Sequence, residues 1–296
     1  MASAWGSGSC TRGSTGNRGR ATRMADRNAA FVGSIPANYD RHLGPLLFHH
    51  YADDLAARLP LRTGMRVLET ACGTGVLTER LLERLGDHGT LLATDLNEPM
   101  IAHGRTKLTG EARLEWRQAD ATKLPFDDRS FDAVVCQFGL MFFPDKAAGV
   151  AEAFRALKPG GIYLFNVWDA LEHNAFARIT HETVASFFPT DPPQFYTIPF
   201  SLHDPAPIRG WLDAAGFTGV EWLRVAKVGT SPSAADAVTG LIEGNPIYTA
   251  IMERCPELRA EIKHAVAGRL AAELGDRPMR CRLRALVFSA RRPGGR

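Results

Sequence analysis

Two acidic residues and two glycines within residues 67–95 are the side chains whose types and spacing could build a ligand site. Glu69 stands four residues before Gly73, Gly75 follows, and Asp95 lies 20 residues after Gly75. Glycines let a backbone approach a ligand where any Cβ would collide, and a following helix offers unpaired N–H donors at its N-terminus. An ionised carboxylate can accept hydrogen bonds from both hydroxyls of a ribose diol. The pattern therefore predicts a nucleotide-sized binding site.

The glycine spacing restricts the kind of nucleotide. A dinucleotide fingerprint reads G-x-G-x-x-G and seats a pyrophosphate on the helix N-terminus. Here Thr78 occupies the third position, and the carboxylate of Glu69 would repel a pyrophosphate. A ligand with a cationic amino-acid end suits Glu69 better. A nicotinamide-dependent oxidoreductase of ordinary dinucleotide-binding fold remains the alternative.

Short apolar strands and amphipathic helices must position these residues. Residues 67–68 are apolar and precede Glu69, whereas residues 77, 81 and 85 are leucines at helical spacing, followed by Gly86 as a C-cap. Residues 90–93 predict a second strand that leads to Asp95. Because parallel strands present their carboxyl ends at one edge of an open sheet, we expect both acids at that edge.

The rest of the chain continues this alternation. The pattern predicts further strands at 114–118, 133–136, 162–167, 220–228 and 283–290, and helices after Asn97, at 145–157 and at 205–215. Gln137 and Phe138 directly follow the strand 133–136, so we expect them at the ligand crevice. An amphipathic helix is also expected before the first strand, with apolar residues at 47, 51, 55 and 59.

Several of these segments resemble, in order, the motifs of class I S-adenosylmethionine (AdoMet) methyltransferases of the ubiquinone-biosynthesis-like group. They are E-x-A-C-G-T-G at 69–75, Asp95 at a strand end, L-P-F-x-x-x-S-F-D at 124–132 and L-K-P-G-G at 157–161. The usual motif has Asp where Glu69 stands and Gly where Ala71 stands. The resemblance implies an α/β, Rossmann-like doubly wound seven-stranded sheet with the last strand antiparallel. It also implies transfer of a methyl group from AdoMet to a small-molecule acceptor.

The resemblance also implies roles for individual residues. Asp95 would hold the ribose, Glu69 the cofactor's ammonium and Asp120 the adenine amino group, while Met100 would pack on the adenine. Tyr39, with the adjoining Asp40, resembles a pair that closes over the cofactor. The cofactor-binding residues that we expect are Tyr39, Glu69, Ala71, Gly73, Gly75, Asp95, Leu96, Met100, Asp120, Ala121, Gln137 and Phe138.

Methyl transfer from a sulfonium requires alignment and exclusion of water more than covalent help from the protein. The sequence therefore identifies no catalytic residue, and we expect no metal site. An O or N acceptor would need a base, for which the candidates by position alone are His49, His50, His173, His181 and His203. A protein that binds AdoMet without catalysis and regulates a partner is the third interpretation.

Composition limits the class of protein. The 296 residues are 45% apolar, which allows a sizeable core, and no run of 18 apolar residues predicts a membrane span. The five cysteines include no C-x-x-C pair, which favours a reducing cytoplasm over a disulfide framework. The net charge is +3, but residues 1–23 hold four arginines and no acid; without them 31 basic groups face 32 acidic ones. That balance argues against a nucleic-acid partner, and the oligomeric state is not predicted.

We expect the following organisation from composition and motif order. Residues 1–25 form a basic, disordered extension, with Met24 as the natural start, and residues 26–62 form an N-terminal capping helix region. Residues 63–168 form the AdoMet-binding core. The aromatic, proline-rich segment 169–200 and the helical segment 230–278 are insertions that cover the acceptor pocket. Residues 201–229 and 279–292 complete the core sheet.

Overall fold

The structure, a computed structural model, describes residues 30–295 and is built on one central sheet. The strands are β1 Met65–Thr70, β2 Gly89–Asp95, β3 Leu114–Gln118, β4 Phe131–Gln137, β5 Leu157–Trp168, β6 Thr218–Ser231 and β7 Met279–Arg291. Their order is β3-β2-β1-β4-β5-β7-β6. Strand β7 runs antiparallel to both of its neighbours, and the remaining pairs are parallel. This confirms the predicted α/β sheet and the antiparallel insertion of its last strand.

Helices cover the sheet and extend beyond its carboxyl edge. They are α1 Ile35–Asn38, α2 His49–Ala57, α3 Val76–Leu85, α4 Glu98–Lys107, α5 Lys146–Ala156, α6 Ala175–Ser186, α7 Pro205–Ala215, α8 Ala234–Val238, α9 Ile247–Arg254 and α10 Arg259–Leu274. No helix in the described part of the chain is long and apolar enough to cross a membrane. The expectations for residues 1–25, including a start at Met24, lie outside the described residues.

The helical region before β1 is longer than its apolar spacing predicts. A π-helical stretch, Tyr39–Phe48, joins α1 to α2 and contains Pro45. Its wider turns accommodate a proline ring that would clash with the carbonyl four residues earlier in a regular α-helix. Tyr51 is fully buried on α2 and donates its hydroxyl to the carbonyl of Val225 at 3.0 Å. That bond ties the N-terminal helices to β6.

Strands β5, β6 and β7 exceed their predicted limits the most. Strand β5 begins at Leu157 instead of residue 162, because the Pro-Gly-Gly segment stays in the strand as an irregularity, with φ of +78° at Gly160, and the pairing with β4 shifts between Phe131 and Ala133. Strands β6 and β7 lengthen together as a hairpin. Alternation of apolar residues detects the buried part of a strand, whereas arginines alternate with the buried residues in the added part of β7 and conceal its pattern.

The chain order places the ligand crevice beside β1. Strand β1 lies between β2 and β4, so the connections from β1 and from β4 leave in opposite directions across the sheet. At such a reversal the loops after the carboxyl ends diverge and open a crevice. The helix after β1, α3, buries Leu77, Leu81 and Leu85 against the sheet, and each buried leucine contributes about 1.5–3 kcal/mol. This packing fixes the glycine-bearing turn that precedes α3.

Candidate functional site

Asp95, at the end of β2, is held in place by the turn after β1. Its Oδ2 accepts a hydrogen bond from the Gly73 N–H at 2.9 Å, and its Oδ1 accepts from the Asn97 N–H at 2.8 Å. Burial raises the pKa of Asp95 above its ordinary value, against the hydrogen bonds from Asn97 and Gly73 that lower it. Each carboxylate oxygen can accept further hydrogen bonds. The side chain is therefore an oriented acceptor at a cavity wall.

The cavity at Asp95, here called the Asp95 cavity, contains most of the predicted cofactor residues. It encloses about 720 Å³ of space between atoms, including its open mouth. The predicted residues that line it are Tyr39, Ala71, Gly73, Asp95, Leu96, Met100, Asp120, Ala121, Gln137 and Phe138. Tyr39 belongs to the π-helical segment and Met100 to α4; the others come from the carboxyl ends of β1, β2 and β4 and from the loop after β3, as the strand order requires.

Glu69 lies in a smaller adjoining space, the Glu69 recess, which it shares with Tyr39, Gly73 and Gln137. The carboxyl group is 1% exposed, and its Oε2 accepts a hydrogen bond from the Thr78 hydroxyl at 2.7 Å. Burial raises the pKa of Glu69 to about 8, with the Thr78 hydrogen bond opposing the shift and nearby Asp95 adding to it. The ionised form of a carboxyl group buried in this way is stabilised by a cation beside it.

Gln137 supplies a second unfulfilled acceptor at the same place. Its Oε1 is buried with no hydrogen-bond partner within the described chain, while its Nε2 donates to the Phe48 carbonyl at 3.4 Å. Gln137 lines both the Asp95 cavity and the Glu69 recess. Buried polar atoms are almost always paired, so an unpaired oxygen facing a cavity indicates a donor on a ligand.

Gly75 is not among the residues that line either space, and its place among the cofactor-binding residues stays a prediction. Its φ is +83°, and a Cβ there would lie 2.8 Å from the Trp116 ring. The glycine is therefore required by the left-handed turn before α3 and by close packing against β3. Local motif spacing identified the residue, but its packing partner is 41 positions away in the sequence.

Tyr39 and Asp40 occupy different environments, although they are adjacent in the chain. Tyr39 lines the Asp95 cavity and the Glu69 recess, and its ring stacks on Phe48 with centroids 4.8 Å apart. Asp40 instead accepts a hydrogen bond from the Thr74 hydroxyl at 2.8 Å and pairs with Lys107. Burial would raise the pKa of Asp40, but the Lys107 and Thr74 hydrogen bonds hold it below its usual value. Asp40 thus fastens the π-helical segment over the glycine turn.

Ala71 adopts a left-handed backbone conformation, with φ of 53°, where the family motif has glycine. Its Cβ is accommodated because Gly139, on the neighbouring loop, has none. A Cβ on Gly139 would collide with that of Ala71 and would lie 2.8 Å from the Cys136 Sγ. The alanine and the glycine therefore form a complementary pair at the cavity wall.

We predict that Ala71→Gly raises the free energy of unfolding by about 0.5–1 kcal/mol, because it relieves the left-handed conformation. Gly139→Ala should lower it by about 1–3 kcal/mol through overpacking. In the background of Ala71→Gly, Gly139→Ala should lower the free energy of unfolding by less than it does in the wild type. Without the Ala71 Cβ, the new methyl group collides only with Cys136. Urea unfolding of the four proteins measures this coupling, and strictly additive effects would contradict the pairing.

A second cavity, here called the aromatic cavity, adjoins the first and encloses about 470 Å³ including its mouth. Its aromatic lining consists of Phe31, Tyr39, Phe48, Phe138, Phe142, Trp168, Phe176, Phe195, Tyr196 and Phe200. The two cavities share four of these side chains, Phe31, Tyr39, Phe138 and Phe142. These four side chains therefore form the boundary between a molecule in one cavity and a molecule in the other.

The floor of the aromatic cavity is a rigid aromatic pair. Phe138 stacks on Trp168 with centroids 4.1 Å apart and an interplanar angle of 11°. Phe138 is also left-handed, with φ of 50°, and its N–H donates to the Oδ1 of buried Asn166 at 2.9 Å. A strained backbone held by a buried amide is typical of a position whose side-chain direction serves function.

The sequence missed several residues of the site. Phe31 lines both cavities, and its N–H donates to the Asn97 Oδ1 at 3.3 Å, which links the N-terminal segment to the residue that holds Asp95. The other missed residues of the Asp95 cavity are Asn97, Ala119, Gly139, Phe142, Phe143 and Pro144. Residues 139–144 directly follow β4, so the carboxyl-end rule could have extended to them. No local signal places Phe31.

None of the five histidines considered as bases, His49, His50, His173, His181 and His203, is among the described residues that line the two cavities or the Glu69 recess. His173 instead lies 3.7 Å from Asp169, and the ring of His203 contacts the Phe200 carbonyl. Position along the chain was therefore a poor guide to a base. Within residues 30–295, no group of three or more His, Cys, Asp or Glu side chains could hold a metal ion.

Comparison with known proteins agrees with this geometry. A family model described as a methyltransferase domain matches residues 67–161. The ubiquinone/menaquinone biosynthesis C-methyltransferase UbiE of Idiomarina loihiensis is 32% identical over 178 residues, which cover 55% of this chain and 70% of the relative. UbiE of Coxiella burnetii is 37% identical over 134 residues, 43% of this chain and 54% of the relative.

A solved structure establishes the likeness of fold over more of the chain. Phosphoethanolamine N-methyltransferase 2 of Haemonchus contortus, in complex with S-adenosyl-L-methionine, aligns with a TM-score of 0.57 at 18% identity. The alignment covers 87% of this chain and 56% of that one. The family match, the sequence relatives and the sheet order agree with one another. The chain belongs to the class I AdoMet-dependent methyltransferases, in the ubiquinone-biosynthesis-like group.

Proposed function

We propose that the protein transfers the methyl group of AdoMet to a carbon atom of a small, largely apolar acceptor held in the aromatic cavity. The observation that carries this proposal is the shared wall of the two cavities. One has acidic and amide acceptors suited to a cationic nucleoside, and the other has aromatic rings suited to a flat apolar molecule. Such an arrangement brings two ligands together at one point.

The cofactor fits the acceptors of the Asp95 cavity and the Glu69 recess. In this proposal Asp95 accepts hydrogen bonds from the ribose hydroxyls, and Glu69 and the Gln137 Oε1 accept them from the amino-acid ammonium. Met100, which is 3% exposed, packs on the adenine, and Asp120 accepts a hydrogen bond from its amino group. Two observations support this placement. The ionised form of buried Glu69 is stabilised by a cation, and the Gln137 Oε1 has no hydrogen-bond partner within the described chain.

The acceptor cavity in this proposal is completed by the two segments after β5. Residues 169–200 contribute Phe176, Phe195 and Tyr196, and residues 230–278 contribute Leu241 and Asn245. The Tyr196 hydroxyl donates to the Leu241 carbonyl at 2.6 Å, which joins the two segments over the cavity. Apolar walls of this kind exclude water from the reacting groups and orient the acceptor.

The chemistry of the walls supports carbon as the methylated atom. When bound, AdoMet supplies an electrophilic methyl group on a sulfonium. Tyr39 and Tyr196 are the only ionisable residues among the described ones that line the aromatic cavity, and burial raises the pKa of both, so neither acts as a base at neutral pH. The acceptor must therefore be nucleophilic as it arrives, as an electron-rich carbon is, and the proton that this carbon loses after methylation passes to solvent water, because the methylated cation is strongly acidic. The relatives are named C-methyltransferases.

Calorimetric titration tests the function directly. We expect AdoMet and S-adenosylhomocysteine to bind with micromolar dissociation constants and NADH not to bind. Electron-rich aromatic carbon acceptors should then release S-adenosylhomocysteine, with turnover independent of pH across pH 6–8 once the protein is saturated with both ligands. Binding of NADH alone would overturn the proposal in favour of an oxidoreductase. Binding of AdoMet without turnover on any acceptor would favour a regulatory protein.

The proposal also includes the compartment and the partners. The four described cysteines, Cys72, Cys136, Cys255 and Cys281, are buried free thiols, which suits a reducing cytoplasm. We propose a small molecule, and no nucleic acid, as the acceptor. Measurement of free thiols on native protein with a fluorescent maleimide after unfolding tests the compartment.

A further inference from the structure

The hairpin of β6 and β7 extends beyond the rest of the sheet at its carboxyl edge. Pairing of β5 with β7 ends at Trp168 and Ala285, whereas β6 and β7 continue for six further pairs, from Ala226 with Arg284 to Ser231 with Met279. Trp168 lines the aromatic cavity, so the extension begins at the edge of the sheet on which the ligand cavities lie. Within residues 30–295, no third strand pairs with this part of the hairpin.

The two faces of the extension differ in burial. Directly paired residues of antiparallel strands share a face. One face carries Met279, Cys281 and Leu283, all at most 2% exposed. The other, which we call the basic face, consists of Arg224, Ala226, Val228 and Thr230 from β6 and Arg280, Arg282 and Arg284 from β7. Six of these seven residues are exposed, and Arg284 is half-buried.

The basic face carries more positive charge than its surroundings neutralise. Arg224 and Arg284 share a single carboxylate, that of buried Asp169. No carboxylate of the described residues lies within 4 Å of the guanidinium of Arg280 or Arg282. Alternate residues on a strand are about 7 Å apart, so the arginines of β7 form a row of separate charges. The near-neutral balance of residues 24–296, with 31 basic groups against 32 acidic ones, conceals this local concentration.

Apolar side chains lie among these charges. Val228, paired with Arg282, is 53% exposed, and Trp222, with the Arg224 guanidinium over its ring, is 38% exposed. Arginine beside tryptophan and an exposed aliphatic side chain is the composition of surfaces at the boundary between water and lipid. A nucleic-acid groove would instead require a positive charge spread along a longer path.

We propose that the basic face docks the protein on an anionic membrane surface, with the arginines at the lipid phosphates and Val228 and Trp222 at the interface. Charge complementarity selects an acidic partner, and residues 1–23 of the chain itself are excluded as the occupant because they are basic and contain no acid. The proposal goes beyond the methyl-transfer function and does not depend on the acceptor. It places the aromatic cavity beside a source of apolar molecules.

Vesicle sedimentation of the full chain tests the proposal. The protein should sediment with vesicles of phosphatidylcholine containing 30% phosphatidylglycerol, and not with phosphatidylcholine alone. Each basic residue near an anionic surface raises the partition coefficient about fivefold. The double substitution Arg280→Gln and Arg282→Gln should therefore lower the partition coefficient by roughly 30-fold. Raising the salt from 0.1 M to 1 M should abolish it, because the screening length falls from about 10 Å to 3 Å.

The matched control is Arg62→Gln with Arg291→Gln, which removes the same charge at the opposite edge of the sheet, where both arginines are exposed. It should retain binding to the anionic vesicles. Both double variants should keep the wild-type affinity for S-adenosylhomocysteine, which verifies folding. Equal losses in the two variants, equal binding to neutral vesicles, or tighter binding to single-stranded RNA than to anionic vesicles would each overturn the proposal.

Discussion

Asp95→Ala is expected to weaken AdoMet binding by about 2–3 kcal/mol, or roughly 30- to 160-fold in the dissociation constant. The variant removes two charge-assisted hydrogen bonds to the ribose. It also releases the N–H groups of Gly73 and Asn97, which now point at the carboxylate. Calorimetric titration with AdoMet measures the loss. A change of only a few tenths of a kcal/mol would show that Asp95 does not grip the cofactor.

A ligand series separates the ribose contact from the loosening of the turn. Wild-type protein should bind S-adenosylhomocysteine much more tightly than its 2′-deoxy analogue, and Asp95→Ala should bind the two almost equally. If the variant weakens both ligands by the same factor, Asp95 acts only by shaping the turn. Asp213→Ala, a substitution of an exposed aspartate on α7, is the matched control and should bind both ligands as wild type does.

Residues that the sequence could predict are those whose role depends on neighbours in the chain. Asp95 and the turn at Gly73 follow from strand ends and glycine spacing, and ten of the twelve expected residues line one cavity. The packing of Gly75 against Trp116 and the pairing of Ala71 with Gly139 depend on contacts between distant segments. Periodicity shows that a side chain is buried but does not identify what it is buried against.

The aromatic cavity illustrates the same limit. Its proline-rich segment was recognisable as a cover from composition, yet the stacking of Phe138 on Trp168 and the place of Phe31 were not. Phe31 is connected to the site through Asn97, a side chain that the sequence suggests as a helix cap. In the structure Asn97 stands at the N-cap of α4, but its side chain makes no capping hydrogen bond: its Oδ1 accepts from the Phe31 N–H and its Nδ2 donates to the Asp95 Oδ1. Side-chain partners are thus decided by tertiary packing.

Glu69→Gln is expected to stabilise the ligand-free protein and to weaken AdoMet binding. The pKa of Glu69 is about 8 in the folded protein and has an ordinary value of 4.5. Because the folded state holds the proton more tightly, the carboxyl costs no stability below about pH 4.5 and progressively more as the pH rises to 8. Glutamine stays neutral throughout this window. The variant should therefore have a free energy of unfolding about 1–4 kcal/mol higher than wild type at pH 8, with almost no difference near pH 4.

Binding should show the opposite dependence on pH. The cofactor's ammonium requires Glu69 in its ionised form, so wild-type affinity should rise from pH 6 to pH 8 as the proton leaves, and binding at pH 7 should release close to one proton. Glu69→Gln should bind AdoMet about 1.5–3 kcal/mol more weakly at pH 8, because a hydrogen bond to a charged group is lost. Calorimetry in buffers of different ionisation enthalpy measures the proton release directly.

The control is Glu83→Gln, which removes an exposed carboxylate on the helix that follows the same turn. It should change neither the pH dependence of unfolding nor that of binding. If Glu69→Gln binds AdoMet as tightly as wild type, the carboxylate does not contact the ammonium. If its affinity falls without a gain in stability at pH 8, the ligand-free protein already supplies a cation to Glu69. We expect greater stability together with weaker binding. Folding disfavours the negative charge of Glu69, whereas binding of the cofactor's ammonium requires it.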